Sequence, residues 1–296
     1  MYQTEDSIAF YDGEFCRIAD VQINPFTQSL HYGNSIFDGM RSYATQQGPQ
    51  IFKATEHYQR FARTASQMKL SLTYSPEELT QISDQLLSLN KLEDAYVRPL
   101  LFSAPNMSLN MTSESHLMIV AFKWGLLLGN SLVNLKTSHY RRPHPDTPMH
   151  DAKVGGLYVT AIMASSEARA ENFHDALLLD VDGNVACASG ANLFYEKDEV
   201  LYTPKAGHIV PGITRAVVIE MAREMGVKVV EKVIKPEDLI GVDGMFLAGT
   251  ATEIAGVASL DRKSFKMQWE DTIGFVISRQ YRQLVTLVDN VRGTLI

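Results

Sequence analysis

The sequence predicts an α+β fold in two domains: a small α/β domain over residues 1–124, a linker over 125–135 and a larger, β-rich domain over 136–296. Three observations lead there. A length of 296 residues suits two cores of ordinary size. Strand-length apolar runs and helix-period runs occur in both halves, the pattern of α+β architecture. The texture changes after Trp124-Gly125, where the strand-like runs of the first half stop.

The first 55 residues read as strands and hairpins. Ile8 to Tyr11 and Glu14 to Arg17 flank Asp12-Gly13, a two-residue turn signal between strand formers. Two helices follow. Thr55 is placed to cap one that continues to about Lys69, and Ser75-Pro76-Glu77-Glu78 joins an N-cap, a proline at the first helical position and a capping-box glutamate. In the second helix Leu79, Ile82, Leu86 and Leu89 fall on one stripe and are expected in the core. Runs Ala95 to Phe102 and His116 to Phe122 close this half as strands.

From His139 to His150, Pro143, Pro145 and Pro148 exclude a helix and indicate an extended, loop-like path. Its three histidines with Asp146 and Asp151 invite a metal reading, but proline-rich segments seldom hold rigid tetrahedral geometry, and no metal is expected. After Gly155-Gly156 a helix runs from Leu157 to about Glu171, then short strands alternate with turns at Asp182-Gly183 and Lys197-Asp198. A helix from Thr214 to Met225 ends at Gly226, a left-handed C-cap. Strands Val227 to Val233 and Met245 to Ala248 and a helix near Thr272 to Val288 complete the chain.

Composition narrows the function classes. Hydrophobic residues at 45% and charged residues at 21% are those of a folded domain, not of a disordered chain. The longest apolar runs, Ala176 to Leu179 and Met118 to Phe122, are of strand length, so no membrane span is expected. Glu5 and Asp6 spoil a secretory signal, and two cysteines, Cys16 and Cys187, make no disulfide framework; a cytoplasmic address is expected. A formal charge of −7 disfavours nucleic acid, leaving small molecules as the expected substrates.

Two segments read as anion sites. Pro211-Gly212-Ile213-Thr214-Arg215 carries a glycine turn into a helix whose first N–H groups and positive dipole end favour a phosphate, and Thr214 adds a hydroxyl. In Ala248-Gly249-Thr250-Ala251-Thr252-Glu253 a strand ends in a glycine that lets backbone approach a ligand. Taken singly, each is also an ordinary glycine turn with a capping threonine. Lys153 precedes Val154-Gly155-Gly156 and a helix, where glycines leave room; a desolvated lysine there loses its proton and attacks a carbonyl.

Read together, the pieces resemble the class IV, fold-type-IV pyridoxal-phosphate enzymes of D-amino acid aminotransferase-like fold, and among them the bacterial branched-chain aminotransferases. The matching runs are His31-Tyr32-Gly33-Asn34-Ser35-Ile36-Phe37-Asp38-Gly39-Met40-Arg41, Ala95-Tyr96-Val97-Arg98-Pro99-Leu100, Lys153 with Tyr158, Asn192-Leu193-Phe194, Pro211 to Arg215 and Gly249 to Glu253. The resemblance implies pyridoxal 5'-phosphate held as a Schiff base on Lys153, which also shuttles the α-proton. It implies Tyr158 on the cofactor's phenolic oxygen, and Arg60 with Ile213, Thr214 and Thr250 around the phosphate. Phe37, Trp124 and Tyr158 would line an apolar substrate pocket, Tyr96 and the backbone at Thr250-Ala251 would hold the α-carboxylate, and Arg98 with Tyr32 would meet a glutamate side chain. The implied activity is transfer from branched-chain L-amino acids to 2-oxoglutarate, in a homodimer with sites between small and large domains.

Three departures from the family pattern stand out. Leu127 stands where one member type has tyrosine, and Asp38 replaces the commoner glutamate. In Gly183-Asn184-Val185-Ala186-Cys187, Cys187 takes the place of the glutamate set against the pyridine nitrogen. On a regular strand 185 and 187 share a face, and no acid does. Without that carboxylate the ring is a weaker electron sink, so slow turnover is expected. Two other readings of the same chain are an enzyme for D-amino acids or aminodeoxychorismate cleavage, and a cofactor-binding homologue with little turnover.

Overall fold

Asp12 and Gly13, at φ 47° and 103°, reverse the chain between β1 (Ile8–Tyr11) and β2 (Glu14–Arg17), as their residue types predict. The structure, a computed structural model, describes residues 4–129, 132–207 and 209–286. Its contacts divide the chain into two units. One comprises the described residues up to Gly125, Ala152–Gly156 and those from Val285; the other comprises those of Leu126–Asp151 and Leu157–Leu284.

In the first unit the hairpin joins β3 (Ile36–Phe37), β4 (Met40–Thr45), β5 (Gly48–Ile51), β6 (Ala95–Ser103) and β7 (Ser115–Phe122). The sheet runs β2-β1-β7-β6-β4-β5, with β3 antiparallel to β6. A short helix α1 (Gln28–Tyr32) precedes β3, and α2 (Ala54–Gln67) and α3 (Pro76–Leu89) pack on each other, α3 also meeting β1, β5 and β7. The capping box of α3 forms as expected: Glu78 N–H donates to Ser75 Oγ at 3.2 Å and Ser75 N–H to Glu78 Oε2 at 2.7 Å.

Two local expectations need correction. Thr55 lies inside α2 and caps nothing; Lys53 is the N-cap residue, at a left-handed φ of 56°, and no side chain caps the end. Leu89 is 46% exposed and Ile82 only half-buried, whereas Leu79, Ser83, Leu86 and Leu87 are buried. The apolar seam drifts round the helix because 3.6 residues per turn carries Leu87, not Leu89, onto the packed face.

The second unit contains β8 (Val133–Arg141), α4 (Val159–Ala170), β9 (Asp175–Leu179), β10 (Val185–Ala188), β11 (Asn192–Lys197) and β12 (Val200–Pro204). It continues with α5 (Ile213–Glu224), β13 (Lys228–Lys232), β14 (Gly244–Gly249), β15 (Glu253–Leu260), β16 (Lys263–Ser264) and α6 (Ile273–Thr286). Strand β8 takes up His139 to Arg141, so the loop-like path expected from His139 begins only after Arg141; the expected end of α6 at Val288 lies outside the described residues.

Order β10-β9-β8-β15-β14-β11, with β10 also paired to β11, closes six strands into a ring, and β12 and β13 extend it. Its interior holds Val133, Leu135, Leu177, Leu193, Leu247 and Val257, all buried. The C-terminus of α5 has the expected glycine: Gly226 at φ 76° with Gly226 N–H to Arg223 O and Val227 N–H to Ala222 O, a Schellman pair. Among the described residues no helix is long and apolar enough to cross a membrane.

Candidate active site

Lys153 belongs to the first unit because its segment is stitched to the strand before it in space, not in sequence. Phe37 N–H donates to Lys153 O at 3.0 Å, Gly155 N–H to Ser35 O at 2.8 Å and Gly156 N–H to Gly33 O at 2.9 Å, and Val154 bridges Ile36. The glycines serve this approach. A Cβ on Gly33 would lie 2.8 Å from Gly156 Cα, and one on Gly155 2.5 Å from Ser35 Oγ.

Around Lys153 the unit assembles most of its expected substrate residues. Lys153 Nζ lies 5.3 Å from the centre of the Phe37 ring, and Arg98 Cζ lies 4.8 Å from the same ring and 5.2 Å from that of Tyr96. Tyr96 meets Trp124 edge-on at 4.8 Å. Arg98 Nε is buried with no hydrogen bond among the described residues, a donor that suits an acidic ligand. Tyr32 stands apart from these contacts: it is 49% exposed and its hydroxyl donates to Met107 O. Two residues of the matching run, given no role from the sequence, support this arrangement. Arg41 donates to the carbonyls of Trp124 and Gly125 at 3.1 and 2.7 Å, and Gly39 leaves room for the Tyr96 ring, whose Oη would lie 1.8 Å from a Cβ there.

Beneath them lies a buried ionic cluster. His57 and Arg60, one turn apart on α2, both reach Asp38 at the end of β3. Arg60 Nε donates to Oδ2 at 2.9 Å and Nη2 to Oδ1 at 2.8 Å, and His57 Nδ1 bonds Oδ1 at 2.8 Å. Burial alone would push the Asp38 carboxyl up, but Arg60 and His57 together hold it well below the usual carboxylate range. Burial lowers His57; Asp38 opposes this, while Arg60 and Lys153 add to it.

In the second unit both expected anion segments meet around Asn192. That residue pairs with Ala248 at the end of β14, next to Gly249, and its Nδ2 donates to Val210 O at 3.2 Å ahead of α5. No side chain caps α5, whose N-cap is Gly212, and Thr214 is buried in its first turn. A Cβ at Gly212 would lie 2.1 Å from Asn192 Oδ1, and one at Gly249 3.2 Å from Gly190 O. At the following turn Leu127 N–H donates to Ala251 O at 2.9 Å. Uncapped N–H groups, a threonine hydroxyl and closely packed glycines form a donor set that fits a phosphate. Tyr158, half-buried, stands at the N-terminus of α4.

Cys187 is opposite Asn192 in the pairing that closes the ring. The expectation that 185 and 187 share a face fails. Register against β9 slips between them, so Val185 faces Leu179 and Cys187 faces Leu178. The bulge sends Val185 to the main core and Cys187 to a small cluster with Ala186 and Ile209. Burial pushes the Cys187 thiol up, Arg142 pulls it down and Asp175 adds to the rise.

Known proteins resemble this chain in sequence and in fold. The family model described as amino-transferase class IV matches residues 35–260. The branched-chain-amino-acid aminotransferase of Escherichia coli (strain K12) is 35% identical over 260 residues, covering 85% of this chain and 84% of that protein. A branched-chain aminotransferase structure from Thermoproteus uzoniensis, with norvaline, superposes with a TM-score of 0.90 at 31% identity, covering 94% of each chain. A branched-chain amino acid aminotransferase structure from T.th., complexed with N-(5'-phosphopyridoxyl)-L-glutamate, gives 0.87 at 30% identity over 96% of this chain and 95% of its own.

Proposed function

This chain belongs to the class IV aminotransferases, and on that premise we propose that it transaminates branched-chain L-amino acids with 2-oxoglutarate as acceptor. Enzymes of this class use pyridoxal 5'-phosphate, which supplies an electrophilic carbon for the amino group and a conjugated ring that takes up electrons as the Cα–H bond breaks. The observation that carries the reading is Lys153, its backbone pinned to Phe37 and its Nζ set over that ring.

In this reading Lys153 Nζ would hold the cofactor covalently and, once free, would take up and return the substrate's α-proton. Arg60 of the first unit would bind the phosphate, as would the N–H groups of Gly212, Ile213 and Thr214 and Gly249-Thr250 of the second, and Tyr158 would hold the phenolic oxygen. Phe37, Trp124 and Tyr158 exclude water and accept an apolar side chain. Tyr96 and the backbone at Thr250-Ala251 orient the α-carboxylate. Arg98, with Tyr32, takes the acidic side chain of glutamate; its buried, unbonded Nε supports that role. Tyr32 is half-exposed, and Phe26, Leu30 and Leu109 of the same unit are 60%, 70% and 85% exposed, apolar surface that supports a homodimer. The free thiols Cys16 and Cys187 accord with a cytoplasmic address.

Cys187 takes the pyridine-nitrogen position in this reading and makes turnover slow. It also favours a second reading, a cofactor-binding protein with little turnover. A visible spectrum of purified protein before and after L-leucine separates the two. A shift from the aldehyde to the amine form of the cofactor establishes the half-reaction, and an unchanged spectrum rejects it.

A further inference from the structure

Arg60 alone does not explain the ionic cluster beneath Lys153. A phosphate-binding arginine on a helix surface needs no carboxylate, yet here its guanidinium is clamped by Asp38 through two parallel bonds of 2.9 and 2.8 Å, with Asp38 1% and Arg60 7% exposed. Asp38 also has partners besides Arg60. Its Oδ1 accepts from Gly39 N–H at 2.7 Å and bonds His57 Nδ1 at 2.8 Å, and Asp38 N–H donates to Pro99 O at 3.2 Å.

The preceding residue does a second task. Phe37 N–H holds Lys153 O at 3.0 Å, so two successive residues set the backbone of the covalent anchor and the plane of the phosphate-binding guanidinium. A cofactor with a fixed separation between its aldehyde carbon and its phosphate needs such a spacing to be rigid. Planar, bidentate clamping fixes the direction of a guanidinium in a way a lone charge does not.

We propose that Asp38 is a positioning residue for cofactor binding, holding Arg60 in the orientation that receives the phosphate, with His57 locking the carboxylate. The inference rests on the reading of Arg60 as a phosphate ligand. It assigns Asp38 no contact with substrate and no proton to move.

The test compares wild type, Asp38→Asn, Arg60→Lys and the double variant as holoenzymes, measuring pyridoxal 5'-phosphate affinity by equilibrium dialysis and the bound phosphate by 31P NMR. Urea unfolding of each cofactor-stripped protein is run alongside. Asp38→Asn keeps the shape and removes the charge; Arg60→Lys keeps the charge and removes the fork. Each single variant is expected to weaken cofactor binding about 10–100-fold, the loss seen when outer partners of a ligand are removed. The double variant should lose little more than either, because both changes break one clamp. The 31P resonance should shift in Asp38→Asn although no atom of residue 38 touches the phosphate. If Asp38→Asn does not fold, Asp38→Ser takes its place, with the same shift expected from a guanidinium that has lost its carboxylate. Wild-type affinity and an unshifted resonance in the residue 38 variant, with Arg60→Lys impaired, would overturn the positioning role and leave the phosphate reading intact. Unimpaired binding in Arg60→Lys would instead overturn that reading. Additive losses in the double variant would also overturn the inference, since Asp38 would then act apart from Arg60.

Discussion

Replacing Cys187 by glutamate should speed the reaction. The side chain is 9% exposed among Ala186 and Ile209, and burial raises its thiol, so it supplies no anion near neutral pH. A ring nitrogen beside it gains no opposite charge to keep its proton. Arg142, close enough to pull the thiol down, adds a cation that works against protonation. Loss of one preorganised electrostatic partner costs about 10²–10³ in rate, or about 3–4 kcal/mol. Glutamate restores the partner, and Arg142 would then serve as its counter-ion. The larger side chain must fit at a bulge, and overpacking of about 1–3 kcal/mol would fall on stability. The expected result is a rate constant for the L-leucine half-reaction raised by at least about tenfold, with cofactor affinity little changed and a lower unfolding midpoint. Stopped-flow absorbance of both proteins at saturating leucine reads the rate. A glutamate variant no faster than wild type, with the cofactor fully bound, would refute the reasoning and show that another group protonates the ring.

Arg98→Ala should impair turnover of glutamate and 2-oxoglutarate more than that of leucine. The partner charge it loses is worth about 2–5 kcal/mol in a desolvated site, and kcat/KM for both amino acids checks it; equal losses would assign Arg98 to the α-carboxylate or the scaffold. Gly212→Ala should weaken cofactor binding, since its Cβ would lie 2.1 Å from Asn192 Oδ1 and displaces that side chain or the start of α5. Dialysis of the holoprotein reads the loss, about 1–3 kcal/mol if it matches ordinary overpacking, and unchanged affinity would remove that helix end from the phosphate site.

The parts legible in the sequence are those whose cause is local. Asp12-Gly13, the Ser75 to Glu78 capping box and Gly226 each state their geometry within four residues, and the structure has all three. Thr55 misled because Lys53, a residue with no capping side chain, accepts a left-handed φ of 56° to start α2. Non-local pairing was beyond reach. Lys153 is fixed by Phe37, and Arg60 by Asp38; neither bond leaves a pattern in its own neighbourhood. The spacing of His57 and Arg60 on one helical face, with Asp38 in the motif upstream, was the available signal for the cluster. A bulge shows no sequence mark here, so the face of Cys187 had to be seen.

Every proposed step depends on Lys153 as the covalent anchor, and reductive trapping tests this most directly. Borohydride reduction of the holoprotein followed by peptide mapping should find the pyridoxyl group on Lys153 alone, and Lys153→Ala should leave no covalently fixed cofactor. Label on another lysine, or label surviving in Lys153→Ala, would contradict the central assignment.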